Sequence, residues 1–217
     1  MPILRRGLLA LPSVLAACSV LPNRPYQEVQ RYALAPERPR REPPSKRGPV
    51  LLLRSVRAAP GMDARGLRIV GAGGQVDAQF YNEWSAPPVE LVEEALRQWL
   101  AGSGLFAAVV SPGSRLRADV VLEAELLRLQ AEPRTGLARA GLAALLLDEP
   151  RDGGQARILG QFTPEGTAPL PGGIRRDDSV PAAEAAAAMR DALSAALADL
   201  ERQLRGAVPA PGGGRRR

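Results

Sequence analysis

The side chains that carry most protein chemistry are nearly absent from these 217 residues: there is no histidine, one cysteine, Cys18, and one lysine, Lys46. Without an imidazole no Ser-His-Asp or Cys-His relay can form, and a lone thiol excludes an intramolecular disulfide and a thiolate zinc cluster. A Schiff-base lysine would have to be Lys46, which lies in a Pro/Arg-rich stretch. What remains is carboxylate chemistry or none. No catalytic residue, metal site or dissociable cofactor is singled out by these counts, and attention goes to the thiol.

Cys18 closes the run Leu15-Ala16-Ala17-Cys18, behind a charged Arg5-Arg6 pair and an apolar stretch of 11 residues, 7–17. That stretch is too short to span a bilayer comfortably and reads as the h-region of a secretory signal. The four residues resemble the bacterial lipobox, in which the thiol is diacylated and the chain is then cut between Ala17 and Cys18. The chemistry needs a thiol nucleophile and small residues before it, so that the peptidase can seat the chain. The competing reading, a buried helix that happens to contain a Cys, requires four features to coincide: the arginines, the length, the small residues and the lack of any other thiol. A chain exported to an oxidising compartment also does well to keep no spare thiol. Diacylglycerol and an N-linked acyl chain such as palmitate on Cys18 would anchor the protein stably, at about 0.8 kcal/mol per buried methylene. Residue 19 is Ser, not Asp, which by resemblance to lipoprotein sorting in two-membrane bacteria implies the outer membrane, facing the periplasm.

The formal charge of +6 and pI near 10.5 suggest nucleic acid until position is considered. Residues 24–57 hold nine basic groups against three acidic ones, the last twelve residues add three arginines, and residues 58–205 carry 15 basic against 20 acidic groups. The body is mildly acidic, and aromatics are only 4% of the chain, so the basic, aromatic-laced surface of a nucleic-acid reader is missing. A basic segment just beyond a lipid anchor is better placed on anionic headgroups, where each Arg contributes on the order of 1 kcal/mol. A solvated linker with no specific role is the alternative for residues 36–49.

The elements that must position these features follow from periodicity. With 45% hydrophobic and 24% charged residues the chain can bury one sizeable core. Residues 1–17 read as signal peptide and 18–48 as a lipidated, Pro-rich tether that holds the domain off the membrane. Residues 49–205 then form one domain, and 206–217 a disordered basic tail. Residues 50–56 read as a strand, and 67–70 with 76–80 as a hairpin around Gly71 to Gly74. Pro87-Pro88 opens an amphipathic helix to Gly102, with Val89, Val92, Leu96, Trp99 and Leu100 on one face. Residues 105–110 are a short strand, and 118–126 alternate as a half-buried one. By composition residues 137–147 suit helix or strand, but their place between two turn signals and before 156–162 favours an antiparallel meander of three strands. A Pro/Gly-rich loop, 164–173, leads to a helix over 181–204 with a Leu193, Leu197, Leu200, Leu204 stripe. The fold class is α/β, a mixed sheet with an antiparallel C-terminal meander packed by two main helices.

This order behind a lipobox resembles the ABC-type transport auxiliary lipoprotein family, lipoproteins encoded beside MCE-domain transport systems. Arg31-Tyr32-Ala33-Leu34 is similar to the family's Tyr-x-Leu strand. Tyr81-Asn82-Glu83-Trp84-Ser85-Ala86-Pro87 is similar to its Tyr-x-x-Trp motif, in which a small residue and Pro follow at the mouth of the first helix. Residues 105–110, 118–126 and 183–204 fit the following strand, the Ala-Asp strand and the Ala-rich closing helix, so the likeness covers residues 26–205. It implies a non-enzymatic, outer-membrane-anchored periplasmic protein. Its partner would be the MCE-domain protein of an ABC lipid transporter, and a homo-oligomer is compatible with the reading. A structural lipoprotein of another envelope complex with a similar small α/β domain is the alternative.

Tyr81 and Trp84, where the hairpin meets the helix, are candidates for partner contact or for core packing. Asp177-Asp178-Ser179 reads as an N-terminal cap for the last helix. Gly71 to Gly74 is no phosphate cradle, since no Lys-Ser/Thr follows. Glu90, Glu93 and Glu94 read as a solvated face, with a docking surface as the alternative.

Overall fold

A computed structural model describes residues 26–149 and 154–208. In chain order the strands are β1 (Gln30–Tyr32), β2 (Val50–Leu53), β3 (Arg57–Ala58), β4 (Gly66–Val70), β5 (Val76–Trp84), β6 (Ala108–Val110), β7 (Val120–Glu132), β8 (Leu137–Asp148), β9 (Arg157–Phe162) and β10 (Glu165–Pro169). The helices are α1 (Pro88–Ala101), between β5 and β6, and α2 (Ala182–Ala207), after β10.

The long strand β7 is the spine. Along one edge it pairs in parallel with β2, then β3, then β4, as Leu52↔Val121, Arg57↔Glu125 and Ile69↔Ala131. Along the other edge it pairs antiparallel with β8 from Val120↔Asp148 to Glu132↔Leu137. A tight turn suffices for that hairpin, with Gly136 at φ 68, a left-handed conformation that a Cβ would strain. β9 and β10 share the far edge of β8, opposite its C-terminal and N-terminal halves respectively. The β4–β5 hairpin extends the sheet, and β1 closes that side parallel to β5. The mixed sheet with its antiparallel meander and two main helices is the fold class the sequence implies.

Alternation decides the faces. In β7 Leu122, Ala124 and Leu126 enter the core, while Glu123 and Glu125 between them stay half-exposed. The helices supply the other layer. α1 buries Val92, Leu96, Trp99 and Leu100, and α2 buries Met189, Leu193, Leu197, Leu200 and Leu204 with Ala185, Ala188, Ala192 and Ala196. The alanines let α2 approach the sheet closely. A Cβ on Gly166 of β10 would overlap the Ala192 carbonyl and the Ala196 amide.

Several expectations need correction. The strand expected over 50–56 stops at Leu53: Arg54 N still donates to Leu122 O of β7, but Val56 N turns to Glu93 Oε2 at 3.0 Å, and pairing with β7 resumes only in β3 at Arg57. Glu93 is thus a half-buried acceptor, not a solvated charge. The Pro/Gly-rich span 164–173 contains β10, whose ladder to β8 runs from Glu165↔Gly141 to Pro169↔Leu137. Pro169 is tolerated at the end of that edge strand. Residues 36–45 are not a free connector. Glu42 N donates to Gly102 O at 2.8 Å and Ser45 N to Phe106 O at 2.9 Å, so the segment lies along the end of α1. The ordered fold therefore includes β1 and the stretch after it.

Candidate functional site

Cys18 and the cleavage position Ala17 lie outside the described residues. The other candidates lie where β5 meets α1. Trp84 is 1% exposed and belongs to the core, so it is not available as a partner contact. It is the last residue of β5, held by Trp84 N donating to Arg65 O at 2.8 Å, and it packs within the main apolar cluster. Tyr81, three residues earlier, is 38% exposed. The two residues of the motif therefore separate, one into the core and one onto the surface.

Residues three apart on a strand face opposite sides, and here the pairing is also irregular. Between Gly66↔Glu83 and Arg68↔Ala78 the β4–β5 register shifts, so residues 79–82 bow out of the ladder. Phe80 stands there 79% exposed against Tyr81, with ring centroids 5.1 Å apart and planes at 82°, an edge-to-face pair. The motif flagged Tyr81 but not Phe80. Nothing in the alternation of β5 announces the bulge, so only the structure brings Phe80 forward.

A second constellation was not anticipated. Arg38, in the segment read as tether, reaches across α1 to Glu201 of α2. Arg38 Nη2 donates to Glu201 Oε1 at 3.1 Å, and Nη1 donates to Oε2. Trp99 Nε1 donates to Glu201 Oε2 at 2.9 Å, Arg205 Nη2 donates to Oε1 at 2.6 Å, and the Arg38 guanidinium lies 5.3 Å from the Trp99 ring centroid. The Glu201 side chain is 9% exposed and that of Arg38 12%. Burial pushes the Glu201 carboxyl up, but bonding to Arg38, its positive charge, Trp99 and Arg205 together hold it below the usual range. One signal in the sequence could have found Glu201: it sits four residues after Leu197, inside the apolar stripe of α2, where a lone charge demands a partner.

Beside this cluster a cleft of about 250 Å³ opens between residues 33–41 and α1, lined by Leu34, Arg41, Leu91, Ala95 and Trp99 among others. Its two basic groups differ, since Arg38 is committed to Glu201 while Arg41 is exposed. On the other face of the sheet, the Arg54–Glu123 and Arg57–Glu125 pairs reach β7 from just after β2 and from β3, beside shallow grooves of about 420 and 370 Å³.

Asp178 does not cap α2. The N-cap is Pro181, with no side-chain cap bond. Asp178 Oδ1 instead accepts from Ala72 N at 3.2 Å and from Arg134 Nε at 3.0 Å. The Ala72 amide and Arg134 hold its carboxyl below the usual range. It ties the β4–β5 turn to the β7–β8 turn. Asp177 Oδ2 accepts from Ser179 Oγ at 2.8 Å. Among the described residues no group of His, Cys, Asp or Glu is placed to hold a metal ion, and no helix is long and apolar enough to cross a membrane.

The arrangement offers packing, ion pairing and an exposed aromatic edge, with the polar groups engaged in holding elements together. Comparison with known proteins agrees with its shape. A crystal structure of a Xanthomonas campestris protein of the DUF330 family is 19% identical and covers 83% of this chain and 99% of its own, with a TM-score of 0.59. The crystal structure of an uncharacterized protein, 15% identical, covers 82% of this chain and 99% of its own at a TM-score of 0.58. At these identities the likeness concerns the fold. No curated protein matches the chain. Residues 32–205 match the family described as the ABC-type transport auxiliary lipoprotein component, from the Tyr-x-Leu strand to the last turn of α2. The chain belongs to the ABC-type transport auxiliary lipoprotein family.

Proposed function

We propose that the protein is a periplasmic lipoprotein, held in the outer membrane by acyl chains on Cys18, that serves without chemistry of its own in an MCE-type ABC phospholipid transport system. The observation that carries this reading is the family match over residues 32–205. The lipobox at Leu15 to Cys18 and Ser19 support the anchor and its membrane, and a chain with no histidine and one cysteine suits positioning better than turnover. From the anchor the chain reaches the sheet at β1, and segment 36–45 after it is held to α2 by Arg38–Glu201. Trp84 is in the core and Tyr81 is exposed, so any surface contact made by the aromatic motif falls to Tyr81.

The test is exchange of labelled phospholipid between the two membranes of cells lacking the chain, complemented with the native gene or with Cys18→Ala. The reading expects slowed exchange, restored by the native chain and not by the unlipidated one. Unchanged exchange in the deletion strain would overturn it.

A further inference from the structure

Four of the eight large apolar side chains exposed among the described residues cluster at one end of one sheet edge: Tyr26, Val76, Phe80 and Tyr81, with 90%, 41%, 79% and 38% exposure. The register brings them together. β1 runs parallel to β5 with Gln30 opposite Asn82, so Tyr26 lies within ~14 Å of that pair along the chain and Phe80 within ~7 Å. β1 pairs only with residues 82–84 of β5, which leaves the outer edge of Val76 to Tyr81 without a strand neighbour among the described residues. Residues 76–78 are exposed on both faces, so the hairpin projects beyond the body of the sheet.

The chain enters the fold at this end. Cys18 is twelve residues before Gln30, a span of at most ~43 Å even fully extended, and Arg24 and Arg31 flank the approach. Asp77 and Glu83 are the acidic groups of the strand, and Arg31 Nη2 lies 3.9 Å from Glu83 Oε1.

The geometry points to a membrane contact: the Phe80–Tyr81 edge of β5 rests in the headgroup region of the bilayer that carries the Cys18 lipid. This rests on the anchor reading given above. A ring pair with one apolar and one amphipathic member suits that depth, where Tyr sits with its hydroxyl toward water and its ring toward the acyl chains. The short covalent leash keeps the patch at high local concentration near the surface, so even weak interfacial affinity orients the domain.

Lipidation consumes the only native thiol, so Phe80→Cys gives the lipidated protein one free thiol for a nitroxide label. Ile158→Cys is the control, on β9 at the opposite side of the sheet and 63% exposed. Both labelled proteins are floated with phosphatidylethanolamine/phosphatidylglycerol vesicles. Collision with an aqueous nickel chelate should be several-fold lower at position 80 than at 158, and collision with oxygen higher. Equal nickel access at both positions in floated protein would overturn the contact while leaving the anchor intact. Shielding of position 80 only after the transport partner is added would assign the patch to a protein and also overturn it. Protein that fails to float would remove the anchor and the proposal with it.

Discussion

Arg38 donates to Glu201 across 163 residues of sequence, at 3.1 Å from Nη2 to Oε1, and so fastens the segment that follows β1 to the C-terminal half of α2. Both side chains are nearly buried, and Trp99 and Arg205 complete the carboxylate's partners. Removing one partner of such a pair leaves the other desolvated and uncompensated, which costs about 3 kcal/mol. Glu201→Ala, which strands Arg38, is expected to lose roughly that much in urea unfolding, and Arg38→Ala less, because Trp99 and Arg205 still hold the carboxylate. The double variant should lose less than the sum. Additive losses would mean that the two residues do not act on each other.

Acid should weaken the fold through the same carboxylate. Glu201 titrates lower in the folded chain than the ~4.3 of a free Glu. Glu132, pushed up by burial but held lower by Gln130, Arg139 and Thr135, behaves alike. A depressed folded value means that the unfolded chain binds more protons, so this stability is complete above the unfolded value and is lost as pH falls through the folded one. The urea midpoint is expected to drop from about pH 5 downward, and less steeply in Glu201→Gln. An unchanged slope in that variant would remove Glu201 as the cause.

Trp84 and Tyr81 should part company in stability measurements. Truncating a core tryptophan costs about 3–5 kcal/mol, so Trp84→Ala is expected to be severely destabilised and Trp84→Phe much less so. Tyr81→Ser is expected within about 0.5 kcal/mol of the native chain, because its ring is partly exposed and touches another exposed ring. Chemical denaturation of the three variants decides the matter.

Gly166→Ala should separate α2 from β10, since the added methyl would meet backbone atoms of Ala192 and Ala196 that cannot rotate away. Overpacking of this kind costs about 1–3 kcal/mol. Hydrogen exchange in residues 165–169 should rise before that in β7.

These residues also show what the sequence could reveal. Periodicity found both helices and β7, whose apolar patterns are governed by burial on one face, while turn signals placed the β4–β5 hairpin and the strands β8 and β9. It missed β10, whose Gly166, Ala168 and Pro169 carry no strand signal and are held by the neighbouring β8 and α2. It read residues 36–45 as a free tether because prolines and arginines look solvated, whereas Arg38 is buried by a partner on a distant helix. It gave the aromatic motif without its geometry, since the register shift that exposes Phe80 and Tyr81 is a property of strand pairing.

The central claim is tested most directly by affinity purification from detergent-solubilised envelope with tagged, lipidated protein as bait. Recovery of an MCE-domain protein together with ABC permease and ATPase subunits is the predicted result. A bait that stays anchored, folds normally and brings down no transport component would contradict the account.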